Sequence, residues 1–196
     1  MAFFDPLPAD SEPPEPQLAP PSWVPCAIPF QALAARTDEV GVSICGVLAT
    51  PVGFEFTVRV NTKHIPQPTR GLGRRPPDPV EGLRVGVQFP DGRKAGTGQH
   101  GGHTAVLRAN AAGGDDAGPA PLMLLPSGGG GGGGDFTYRY RIPDLPTDGA
   151  ISFVIEWEQF GIPETWVALD GTAIRAAGLA AEPIWPIDPA GVTEAR

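Results

Sequence analysis

The chain has 196 residues, enough for one ordinary domain with additional segments at its ends. Glycine (27) and proline (25) make up about a quarter of it, which disfavours long helices and favours short strands joined by loops. A net charge of −8 argues against binding to nucleic acid or anionic membranes, since both require a positive field.

Residues 1–22 are proline-rich and carry Asp5, Asp10, Glu12 and Glu15 without a base. Such a composition buries too little apolar surface to order itself, so a disordered acidic arm is expected, with Trp23 as the first contact with the core. No basic segment followed by an apolar run of signal-peptide length opens the sequence, and "GVSICGVLATPVGF" is too short and too interrupted to span a bilayer. A soluble, cytoplasmic protein is the expectation. Cys26 and Cys45, far apart and outside any CxxC pattern, are then free thiols with no metal signature.

From Trp23 onward the dominant period is two. Phe54, Phe56, Val58 and Val60 alternate with Glu55, Thr57 and Arg59. Leu83, Val85, Val87 and Phe89 alternate with Arg84, Gly86 and Gln88. Phe136, Tyr138, Tyr140 and Ile142 alternate with Thr137, Arg139 and Arg141. Each pattern reads as an antiparallel strand with one apolar and one solvated face. Further strands are expected at Val40–Ala49, Thr104–Leu107, Leu122–Leu125, Ile151–Gln159 and Glu164–Leu169. Turn chemistry stands between them, in "PVG" at 51–53, "PDG" at 90–92 and "TDG" at 147–149.

About eight such strands predict a mainly β fold, an antiparallel β-sandwich of immunoglobulin-like or related type, with one short C-terminal helix. Asp170 can cap that helix, Ile174, Ala177 and Ala181 form its inner stripe, and Pro183 ends it, while Gly178 weakens its second half. The single domain is expected over 23–186, with flexible insertions at 61–81, 110–120 and 127–135 and a flexible tail at 187–196. Gly128 to Gly134 are consecutive glycines followed by no helix, so the run reads as a loop tip joining two strands and not as a phosphate cradle.

Candidate sites are few. Glu156 and Glu158, two apart on one strand, would stand about 6.5–7 Å from each other. That separation fits paired-carboxylate catalysis, but both project in parallel from one strand instead of flanking a bond. A solvated face is the simpler reading, with Arg139 and Arg141 as partners if the two strands form a hairpin; if they lie in opposite sheets that pairing fails. Trp157, on the other face, is expected in the core. Of the histidines, His100 and His103 in "QHGGH" are the candidate metal ligands, with His64, Asp115 or Asp116 as a third, although two intervening glycines leave the pair unfixed. Between Arg59 and Lys94, eight bases face Asp78, Glu81 and Asp91, a local balance of +5. Arg74 and Arg75 are therefore candidate contacts for an acidic partner or for the arm itself. "RGLGRR" lacks the spacing of a phosphate-binding loop. Cys45 shares a face with Ser43 and Val47, and no serine or cysteine stands in a nucleophile elbow. Trp166 falls on the outer face of its strand, where the C-terminal helix, "IWP" at 184–186 or a partner could cover it.

Two stretches, "VGVQFPDGRKAG" (85–96) and "LPTDGAISFVIEWEQFGIPET" (145–165), followed by "LDGTAIRAA" and Trp185, resemble a family of uncharacterised proteins from high-GC actinobacteria. The resemblance covers about residues 40–186 and implies no activity, cofactor or site residue. Without a convergent catalytic set, the leading expectation is a non-enzymatic interaction or structural module meeting an unidentified protein partner, with no cofactor. The alternative is a small hydrolase or metal-dependent enzyme using Glu156, Glu158 or the His100/His103 pair.

Overall fold

A computed structural model describes Phe3 and residues 23–63, 80–98 and 121–185. The chain is mainly β, in the order β1 (Trp23–Val24), β2 (Cys26–Arg36), β3 (Val40–Thr50), β4 (Gly53–Thr62), β5 (Arg84–Gln88), β6 (Lys94–Gly96), β7 (Leu125–Gly132), β8 (Asp135–Ile142), β9 (Ala150–Trp157), β10 (Ile162–Asp170), α1 (Gly171–Leu179) and β11 (Glu182–Pro183). The strands form three open antiparallel sheets. A five-stranded sheet runs β2-β3-β4-β8-β7, a four-stranded sheet runs β10-β9-β5-β6, and β1 pairs with β11. The expected strand at 104–107, the insertions over 64–79 and 110–120, the tail at 187–196 and all of the arm except Phe3 lie outside the described residues. No helix among the described residues is long and apolar enough to cross a membrane.

The alternating residues of both larger sheets contribute to one buried core. Phe54, Phe56, Val58 and Val60 of β4 and Phe153, Ile155 and Trp157 of β9 are all essentially inaccessible. Phe56 meets Phe153 with centroids 4.7 Å apart, and Phe54 stacks on Phe89 at 6.2 Å, so aromatic rings bridge the sheets. Asp170 caps α1 by accepting the Thr172 N–H at 2.9 Å, and Ile174 is buried, as the sequence pattern requires. Gly178 is buried where a Cβ would come 2.8 Å from the Thr50 carbonyl oxygen, so the residue that weakens helix propensity is the one that admits close packing on β3. Cys26 and Cys45 are free thiols.

Several expectations change. β2 alternates in burial from Cys26 to Ala34, but its outward positions include Ala27 and Leu33, so the sequence does not show the period, and Pro29 is tolerated because β2 is a sheet edge. In β3, Gly46 adopts φ +59° at a bulge, and the shift moves Val47 and Ala49 into the core in place of Leu48. β9 ends at Trp157, where Glu158–Phe160 form a 3₁₀ turn closed by Gly161 at φ +67°. Leu122 and Leu124 are buried, but the strand begins only at Leu125.

The glycine run is not a loop. Gly128–Gly132 pair with Arg139–Asp135 of β8, and only Gly133 and Gly134 make the turn. Both have positive φ (+63° and +86°), as a tight two-residue hairpin requires. At Gly131 a Cβ would lie 2.3 Å from the Asp135 carbonyl oxygen, so that position admits only glycine. Arg59 of β4 pairs with Asp135 beside the turn. Its hydrogen bond to Asp135 holds the Arg59 guanidinium above its ordinary range, and the same bond holds the Asp135 carboxyl below the usual carboxylate range.

Candidate functional site

The "IEWEQ" stretch resolves into three separate roles. Trp157 is fully buried, donates its indole N–H to the Glu81 carbonyl at 3.0 Å, and packs edge-on against Phe160 at 4.4 Å. Glu156 lies opposite Arg84 of β5, and the two form an ion pair of 2.5 Å with only 17% and 19% of their side chains exposed. Glu158 has left the strand and is exposed in the 3₁₀ turn. The hairpin with β8 does not form, since β8 and β9 belong to different sheets; Arg139 and Arg141 stand opposite Thr57 and Glu55 of β4. A carboxylate held by a neighbouring guanidinium and a second one on a different element do not make an acid and base sharing a substrate.

Of the other sequence candidates, Arg74, Arg75, His64, His100, His103, Asp115 and Asp116 lie outside the described residues. Among the described residues no three of His, Cys, Asp and Glu converge as metal ligands.

Trp166 is where side chains do converge. The four-stranded sheet sets Trp166 of β10, Val154 of β9, Gly86 of β5 and Gly96 of β6 side by side in register. Directly paired residues share a sheet face, so these four form one row across the outer surface. Trp166 is 45% exposed, whereas Val154, which by alternation should meet solvent, is fully buried. The cover is Phe3. Its ring lies over Gly86, where a Cβ would come 2.2 Å from the ring, and meets Trp166 edge-on, with centroids 5.6 Å apart and planes at 86°. Lys94 of β6 holds its ammonium 5.1 Å from the ring centroid, within cation–π range.

A bulge supplies the polar anchor. Between Ile162 and Thr165, β10 carries one residue more than β9, a shift that accommodates Pro163 on this edge strand and puts Glu164 beside Trp166. The Glu164 carboxylate accepts the Phe3 backbone N–H at 2.7 Å through Oε2 and the Trp166 indole N–H at 3.1 Å through Oε1. The notch therefore has a glycine floor, a tryptophan wall, a cationic rim and a carboxylate that fixes backbone direction. Arg84 and Glu156, two residues along their strands from Gly86 and Val154, flank the notch on the same face.

The outward position of Trp166 agrees with the alternation, but the aromatic ring it meets comes from the N-terminal arm, and Phe3 precedes Trp23 as a contact with the folded body. Gly86, Lys94, Glu164 and Phe3 are absent from the sequence-level candidates. The signal for Phe3 is "MAFFD", an aromatic pair in a segment otherwise composed to avoid burial, and alternation already sets Glu164 on the face of Trp166. Compared with known protein families, curated proteins and solved structures, the chain matches none.

Proposed function

We propose that this chain is a non-enzymatic interaction module of β-sandwich architecture, which recognises an aromatic side chain of an extended segment on the outer face of its four-stranded sheet. The observation that carries the reading is the way Phe3 is held. Ring, backbone N–H and quadrupole each have a partner, in Trp166 over Gly86, in Glu164 and in Lys94. Aromatic anchors seated in a pocket with a fixed polar contact are how protein surfaces concentrate binding energy. Membership of the actinobacterial family that stretches 85–96 and 145–165 resemble belongs to the same proposal and adds no activity.

The carboxylate form of the enzymatic alternative gains nothing from the geometry, since Glu156 is held by Arg84 and Glu158 lies on another element, while His100 and His103 lie outside the described residues. The test of the module reading is a calorimetric titration of the full chain carrying Phe3→Ala with the octapeptide of residues 1–8, MAFFDPLP. Saturable binding is expected, lost with the peptide in which both phenylalanines are alanine and lost in the Phe3→Ala/Trp166→Ala chain. Binding that persists through the Trp166 change would refute the assignment.

A further inference from the structure

We propose that Phe3 is a tethered pseudoligand: it closes the notch in the resting protein, and the partner is a segment of another protein whose aromatic residue, with its own backbone N–H for Glu164, displaces it. This rests on the module reading above and adds its regulation.

Two observations carry the step. First, Phe3 is joined to the next described residue, Trp23, by residues 4–22, a stretch of 19 residues (22 − 4 + 1) rich in proline and acidic groups. The ring is nevertheless only 7% exposed and makes defined contacts with four side chains or backbone positions of the sheet. Second, the sheet holds Phe3 by its ring, against Trp166, Gly86 and Lys94, and by its backbone N–H, on Glu164. Any extended chain bearing an aromatic residue offers the same pair of groups.

The tether decides which occupant wins. A linker of this length gives an effective concentration on the order of millimolar. A free peptide of about 100 μM intrinsic affinity then binds the wild-type chain roughly tenfold more weakly than a chain lacking Phe3, because it must first displace the arm.

The experiment titrates MAFFDPLP into the full-length wild-type and Phe3→Ala chains side by side. Binding at least about tenfold tighter to Phe3→Ala is expected. Equal affinity for both would overturn the plug while leaving the module reading standing, and binding to neither would remove both. A concentration-dependent dimer of the wild type, lost in Phe3→Ala, would overturn the foreign partner in favour of a second copy's Phe3. As a check independent of the variant, amide hydrogen exchange at Phe3 in the wild type should be slow and should accelerate when millimolar peptide is added; unchanged exchange would refute displacement.

Discussion

Gly86 and Phe3 occupy one another's space: the ring atom Cε1 of Phe3 stands 2.2 Å from where a Cβ on Gly86 would be. The backbone of Gly86 is extended strand, so nothing in its own conformation demands glycine. Gly86→Ala should therefore leave the sheet intact and expel Phe3. Burying a phenylalanine is worth about 1.5–3 kcal/mol, and alanine recovers roughly 0.5–1 kcal/mol of strand propensity, leaving a net loss of about 0.5 to 2.5 kcal/mol. Chemical denaturation of Gly86→Ala, Phe3→Ala and the double variant checks it. The two changes remove the same contact, so the double should cost no more than Phe3→Ala alone.

The Arg84–Glu156 pair predicts a second asymmetry. Glu156→Gln leaves Arg84 with a weaker partner in a mostly covered site and should cost about 1–3 kcal/mol, above the range for exposed pairs. Arg84→Met with Glu156→Leu, which removes both charges together, should come close to neutral. Equilibrium unfolding in urea separates the outcomes.

Within the glycine run the positions are not equivalent. Gly131→Ala places a methyl 2.3 Å from the Asp135 carbonyl oxygen, and the hairpin must shift. Gly130 has open space where its Cβ would stand and no positive φ. Gly130→Ala should be neutral or stabilise by about 0.4–1 kcal/mol through the unfolded chain, while Gly131→Ala should lower the thermal midpoint. Differential scanning calorimetry on the pair is sufficient.

Acid should act through Asp135. Its carboxyl is held below the ordinary range by the hydrogen bond from Arg59, so the pair's contribution is fully present above the unfolded carboxyl value, about pH 4. It is lost as pH falls through the lower folded value, where the native carboxylate protonates. The stability gap between wild type and Asp135→Asn should be constant from pH 6 to 8 and close below about pH 4. Denaturation midpoints across that range provide the measurement.

Trp157→Phe retains most of the core volume but orphans the Glu81 carbonyl that the indole N–H now satisfies at 3.0 Å. A loss of about 1–3 kcal/mol is expected, against about 3–5 kcal/mol for Trp157→Ala, which also leaves a cavity.

Period-two alternation made β4, β5 and β8 legible, because each has one face on the core and one toward solvent. The same signal is silent for β2, where Ala32, Ala34 and Ala35 carry little β preference and Pro29 argues against a strand. It misleads at β7, where Gly128–Gly132 pair with β8 without a side chain of their own to record it. The site was half legible. Alternation put Trp166 outside, while the solvated, ion-paired Glu156 expected from the sequence kept only its ion pair, with Arg84 in place of Arg139 or Arg141 and in a mostly covered site, because sheet order is not written in local sequence. Phe3 was hidden by its surroundings: composition describes a segment on average, while docking here depends on a single residue.

β7 has one more consequence. In β4 or β9, sliding the strand by a residue would exchange every core side chain for a solvated one. A strand of identical residues has no such phase, because each glycine that moves is replaced by another. Its register is set from outside, by the two-residue turn at one end and the bulge between Pro126 and Gly128 at the other. The run can therefore gain or lose a residue without turning the core inside out, and this edge of the protein can vary in length while the rest of the sheet cannot.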